Sequence, residues 1–160
     1  MKNDNYSTPV TAVEPLVNHL NGLRLSYYEP CVGDGALVGA FANRGFYCAG
    51  RSDKELDATV VDYKLPPTVS HFITNPPWTR EILHPLIMNL CQQKPTWLLF
   101  DADWMHTKQA IPYLTNCKKI VSVGRVKWIS GSPYVGKDNV CWYYFDNCCT
   151  VNSGPIFYGR

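Results

Sequence analysis

Apolar residues along this chain switch between two spacings. Val10, Val13, Leu16, Val17 and Leu20 recur as on one face of a helix, with Gly22 as a stop. Thr11-x-x-Glu14 resembles a capping box for that helix, which would leave Pro15 in the tolerated first turn. Ala36–Asn43 repeats the pattern with Leu37, Val38 and Phe41 inward and Gly45 as its break. Glu81–Gln92 does so again through Ile82, Leu86, Ile87 and Leu90, with Pro85 in its opening turn; Lys108–Leu114 is a weaker helical segment. Between them lie short runs of strand character: Leu23–Tyr28, Phe46–Ala49, Thr59–Val61, Ser70–Thr74, Thr96–Phe100, Lys119–Val126 and Val140–Phe145. Strands alternating with helices predict an α/β fold, a mostly parallel seven-stranded sheet with helices on both faces. Only the Gly/Ser/Pro-rich Ile129–Asn139 separates the last two strands, which leaves no room for a helical crossover and predicts a C-terminal antiparallel hairpin.

The ends of these strands carry the chemistry. Ser70–Thr74 runs into Asn75-Pro76-Pro77-Trp78, where two prolines remove two N–H donors and end the ladder. The residue before each proline stays extended, so the turn is rigid. It presents an amide side chain, a bare carbonyl and a large ring in one arrangement. An exocyclic amine on a flat ring suits it: the Asn75 oxygen and the Pro76 carbonyl can each accept one amine hydrogen, and Trp78 can lie on the ring face. The structural alternative is a plain strand-ending turn. The first strand ends at Glu29-Pro30-Cys31-Val32-Gly33-Asp34-Gly35 and a helix follows, the layout of a nucleotide-binding turn. It lacks the third glycine of the dinucleotide fingerprint and the Gly-Lys-Ser/Thr of a phosphate loop. Glu29 would repel a pyrophosphate but could pair with a ligand ammonium. Asp53 is placed for ribose hydroxyls and Asp62 for an adenine amino group. Three carboxylates and a glycine turn describe a cationic, adenosine-bearing cofactor.

Composition narrows the reading. At 160 residues the chain suits one domain, and 46% hydrophobic against 18% charged residues excludes a disordered chain. No apolar run approaches a membrane span, and the polar start Met1–Asn5 is unlike a signal peptide, which predicts an intracellular protein. The seven cysteines are scattered without a C-x-x-C pair and read as reduced, mostly buried thiols. Net charge is only +2, but Trp104–Lys137 holds Lys108, Lys118, Lys119, Arg125, Lys127 and Lys137 with no acid among them. That run, interleaved with Trp128 and Tyr134, is either a solvated face or a nucleic-acid contact, and the aromatics favour contact. Asp101-x-Asp103-x-x-His106 invites a metal reading, but strand-end acids are common and no metal is expected. His19, His71 and His84 read as structural.

In order, Tyr6-x-Thr8-Pro9, Glu29-Pro30-x-x-Gly33-x-Gly35, Asp53, Asp62-Tyr63 and Asn75-Pro76-Pro77-Trp78 resemble the S-adenosylmethionine-dependent amino-methyltransferases, most closely the compact, phage-borne DNA adenine-N6 type. The resemblance extends to about Phe145. It implies a Rossmann-like class I methyltransferase fold and a cytoplasmic location in a bacterial host. It also implies that Tyr6, Thr8 and Pro9 close over the cofactor and that Glu29, Pro30, Cys31, Gly33 and Gly35 lie beneath its methionine part. Asp53, Asp62 and Tyr63 would hold ribose and adenine, and Asn75, Pro76, Pro77 and Trp78 the target amine. Trp128 is then a candidate for the second stacking face, an ordinary strand aromatic being the alternative, with Lys127, Tyr134 and Lys137 on nucleic acid. A base inside a duplex would have to flip out or be single-stranded.

One departure stands out. The chain has no room for a separate target-recognition segment, and Gly131–Asn139 is the sizeable insertion available. Sequence choice is therefore loose, or supplied by that loop with a partner or a second copy, or the substrate is not duplex DNA. RNA base methylation, glutamine-N5 methylation of a protein and non-catalytic binding are the competing readings.

Overall fold

The computed structural model describes residues 6–21, 25–147 and 154–160, and its frame is one seven-stranded sheet. In chain order the strands are β1 (Ser26–Glu29), β2 (Tyr47–Arg51), β3 (His71–Thr74), β4 (Thr96–Asp101), β5 (Cys117–Arg125), β6 (Asn139–Phe145) and β7 (Ile156–Tyr158). The helices are α1 (Val10–Leu20), α2 (Ala36–Ala42), α3 (Arg80–Gln93) and the single turn α4 (Ile111–Leu114). Across the sheet the order is β2-β1-β3-β4-β6-β5-β7. β1 to β4 run parallel, β6 is antiparallel to β4 and β5, and β7 joins β5 in parallel. The mostly parallel sheet and its antiparallel C-terminal pair are as predicted.

Both faces of the sheet are covered, so its central strands alternate between two apolar cores rather than between core and water. Trp97 and Leu99 of β4 join Trp142 of β6 and helices α1 and α2 on one side. Leu98 and Phe100 join Tyr143, Phe145 and helix α3 on the other. The Trp142 indole N–H donates to the Ala12 carbonyl at 2.7 Å, tying α1 to the sheet. His84 is structural here: its Nε2 accepts the indole N–H of buried Trp104 at 3.0 Å.

The third predicted strand does not form. Thr59 and Val60 lie in a turn and Val61 in irregular chain, with Val60 73% exposed. Asp57 Oδ1 accepts from the Thr59 N–H at 3.0 Å and its hydroxyl at 2.6 Å, a local turn that competes with any ladder. Asn89 and Gln93 of α3 then donate to the Val61 carbonyl, each at 2.9 Å, replacing a strand partner. The seventh strand is instead β7, beyond the reach of the resemblance.

The capping box also fails. Pro9 is the N-cap of α1, and Glu14 accepts from Arg44 at 3.0 Å. Pro15 and Pro85 lie inside their helices, past the opening turn. The carbonyls they leave unpaired belong to Thr11 and Glu81, both exposed to water, which makes the prolines tolerable. Gly22, Leu23, Cys148 and Cys149 lie outside the described residues. The other five cysteines are free thiols, buried or half-buried.

Candidate active site

The chain leaves β1 toward β2 on one side while β3 lies on the other, so the sheet order reverses between the ends of β1 and β3. In open α/β sheets the crevice beyond such a reversal is where ligands bind. Here it holds a cavity of about 750 Å³, a size suited to a nucleotide-like molecule.

Glu29, the last residue of β1, faces this cavity and is 1% exposed, yet its Oε2 has no hydrogen-bond partner among the described residues. Burial pushes its pKa up to about 9; nearby Arg51 opposes the shift, and Asp34 and Asp53 add to it. A buried, unpaired carboxyl with acids around it favours its protonated form and is ready to pair with a cation. Pro30, Cys31 and Gly33 continue the wall. Gly33 (φ 52°) and Gly35 (φ 80°) adopt backbone that favours glycine, with open space beside each; Gly33 lines the cavity and Gly35 does not. Gly35 itself N-caps α2.

Asp53 lines the same cavity after β2. Asp62 does not: it borders a separate small cleft with Lys64 and Lys94, and Tyr63 packs in the core at 5.1 Å from both Tyr28 and Phe72. Asp34 and Asp57 also line the cavity, and Asp57 escapes a reading of the sequence that seeks the acid beyond a strand at Thr59–Val61, which does not form. The spacing Asp57-x-Thr59, an Asp followed by a hydroxyl that can close a local turn, was the available signal.

Asn75 stands at the end of β3 and lines two cavities, the first and an adjoining one of about 380 Å³. Its Nδ2 donates to the hydroxyl of buried Thr8 at 3.1 Å, and its Oδ1 accepts from the Trp78 indole N–H at 3.3 Å. Tyr6 also lines both cavities, Thr8 and Pro77 the first, Trp78 the second; Pro9 and buried Pro76 line neither.

The second cavity is aromatic. Trp78, Trp128 and Tyr134 form its walls with Lys137 and Asp138. The loop doubles back because the Gly136 N–H donates to the Val126 carbonyl at 2.8 Å, where a side chain at 136 would sit 2.9 Å from that oxygen. Trp78 and Trp128 do not make the expected pair of parallel faces. Their rings meet edge to face, 5.6 Å apart and 77° inclined, so a flat guest on one face meets the edge of the other. The basic run divides as well: Lys118 and Lys119 lie at the far end of β5, roughly 20 Å of strand from Arg125. Exposed Lys127 lines neither cavity. At the end of β4, the Asp101 carboxylate pairs with Arg80 and accepts the Trp104 N–H.

No family model and no curated protein matches this sequence. Among solved structures, a protein from Listeria monocytogenes assigned as a class I S-adenosylmethionine-dependent methyltransferase superposes with a TM-score of 0.63 at 9% identity, over 99% of this chain and 67% of its own. The methyltransferase subunit of a type I restriction-modification system from Streptococcus thermophilus gives 0.57 at 8%, covering 97% of this chain and 47% of that one. A protein from Pyrococcus horikoshii assigned as an RNA methyltransferase gives 0.53 at 14%, covering 88% and 86%. The chain thus has the Rossmann-like fold of class I methyltransferases, and it spans under half of the restriction-modification subunit.

Proposed function

We propose that this protein transfers a methyl group from S-adenosylmethionine to the exocyclic N6 amine of adenine in DNA. The observation that carries the reading is Asn75 as the shared wall of two cavities, one with an orphaned buried carboxyl and one lined with aromatic rings.

The first cavity fits the cofactor. Glu29 is a partner for an ammonium group, and Asp53 and Asp57 are acceptors for ribose hydroxyls or an adenine amine. The uncovered glycine backbone admits close approach. Bound S-adenosylmethionine supplies a methyl group already activated on a sulfonium. The chain's own residues then align the amine. Asn75 Oδ1 keeps a lone pair beyond the one that Trp78 uses and accepts one amine hydrogen. Accepting that hydrogen draws the nitrogen toward tetrahedral geometry and stabilises its growing positive charge. When the new nitrogen–carbon bond forms and the carbon–sulfur bond breaks, the surplus proton leaves the nitrogen for solvent. Trp128 and Tyr134 offer stacking surface for a base out of its helix, and Lys137 a phosphate contact.

RNA is the nearest alternative, supported by the Pyrococcus horikoshii neighbour and by an aromatic cavity that selects a base rather than a sugar. The deciding experiment incubates DNA and RNA with protein and methyl-labelled cofactor and identifies the methylated nucleoside by mass spectrometry. Label in N6-methyldeoxyadenosine is expected; label only in RNA, or none, would refute the assignment.

A further inference from the structure

We infer that Trp78 acts on the reaction through its indole N–H, which together with Thr8 sets the direction of the Asn75 side-chain amide. The inference rests on the amine-methylation reading above.

A primary amide can sit in a site two ways, half a turn apart, with oxygen and NH2 exchanged. Only one way offers an acceptor where an amine hydrogen arrives. The two groups that hold Asn75 differ in what they tolerate. The Thr8 hydroxyl, 3.1 Å from Nδ2, can accept or donate, so it serves either end of the amide. The Trp78 indole N–H, 3.3 Å from Oδ1, is a donor only. Turning the amide over would set NH2 against the indole N–H, two donors face to face, and leave the indole with only the Leu99 carbonyl in a half-buried site. Trp78 therefore chooses the orientation, and Thr8 secures the other end.

The indole is itself held. Its N–H also reaches the Leu99 carbonyl at 3.2 Å, and its ring packs against both apolar cores. Leu99 belongs to β4 beside β3, so the sheet transmits its geometry to the amide through one ring. Thr8 adds a link to the first cavity, which it lines two residues after Tyr6. Phenylalanine at 78 would keep ring surface and lose this function, as would valine at 8 for the hydroxyl. Trp78 and Thr8 are positioning residues; Asn75 meets the amine.

The test has two arms. In a 15N-labelled protein, Asn75→Ala should shift the Trp78 indole resonance and quicken its hydrogen exchange. In single-turnover methylation with saturating substrate, Trp78→Phe and Thr8→Val should each lower the rate about three- to tenfold, the loss of one hydrogen bond. Calorimetry should show cofactor and nucleic-acid affinity nearly unchanged, and Thr8→Ser should restore the rate. An indole signal indifferent to Asn75→Ala overturns the inference. So does a Trp78→Phe variant with full rate and weakened nucleic-acid binding, the mark of stacking alone. If the wild type methylates no nucleic acid, the proposed reaction fails, and the amide arrangement is then decided by the indole signal.

Discussion

The two cavities that meet at Asn75 are built from different materials. The first is made by strand ends and backbone: Glu29 at the tip of β1, the Gly33–Gly35 turn, and a loop whose carbonyls are held by Asn89 and Gln93. Its character is electrostatic, set by a buried carboxyl and three further acids. The second is made by side chains on a loop, with Tyr134 79% exposed and two indoles at right angles. Its attraction is aromatic surface with a lysine at the rim. A rigid polar site joined to a softer aromatic one suits a cofactor that never varies and a target presented by a large, moving polymer. Substitutions should therefore separate the two: changes in the first should move cofactor affinity, changes in the second polymer affinity, and only the shared wall and the Thr8 hydroxyl and Trp78 indole N–H that hold it should move the rate alone.

The shared wall gives the largest effect. Asn75→Ala removes an acceptor for the amine while both prolines and the Leu99 contact of Trp78 remain. Single-turnover methylation should slow by about a hundredfold or more, with both affinities preserved. A near wild-type rate would reduce Asn75-Pro76-Pro77-Trp78 to a strand-ending turn.

In the aromatic cavity, Trp128→Ala should weaken binding of an adenine-containing oligonucleotide by about ten- to a hundredfold, the worth of one base stack. Cofactor affinity should stay as it was. Equal loss of both would mean that Trp128 supports the fold rather than the guest.

In the polar cavity the effect depends on pH. Burial raises the Glu29 pKa to about 9 from an ordinary 4.5. A raised pKa contributes stability that is complete below about 4.5 and is lost as pH rises through about 9. The Tm of the free protein should therefore fall over that window, and Glu29→Gln should flatten the slope. A cofactor ammonium favours the ionised form, so cofactor affinity should rise with pH and binding should release a proton. Calorimetry in phosphate and in Tris reads that release; identical heats would place no cation at Glu29.

Much of this was legible in the sequence because strand ends are marked by residues that stop a strand. Glu29-Pro30, the glycines and Asn75-Pro76-Pro77 each end a ladder for reasons internal to a few residues. Several of the departures share one cause: a partner far along the chain decides the outcome. Thr59–Val61 has strand composition, but Asn89 and Gln93 take up its carbonyl first. Asp62 follows that segment and so borders the separate cleft, while Asp57 before it lines the cavity. The angle between Trp78 and Trp128 depends on Leu99 and on the loop folding back at Gly136. The basic run looked continuous because neighbours in sequence stand far apart along an extended strand.

That division of the basic run leads to the smallest predicted effect. Lys137 lines the aromatic cavity beside Asp138, whereas Lys127 is exposed outside both cavities. A phosphate flanking a base in the second cavity would meet Lys137 first. Each lysine that neutralises a phosphate releases about one counterion, so its loss makes the salt dependence of binding shallower by about one. Lys137→Glu should weaken oligonucleotide binding several-fold at low salt and flatten the slope by about one to two, since reversal also adds repulsion. Lys127→Glu should do less on both measures, because its position contacts a phosphate only if the polymer continues past the end of β5. The comparison is best made by titrating a short oligonucleotide, then a longer one, at several salt concentrations. Equal effects on the short one would mean that the aromatic cavity does not set the position of the polymer. An effect of Lys127→Glu only on the longer one would trace its path out of the site past the end of β5.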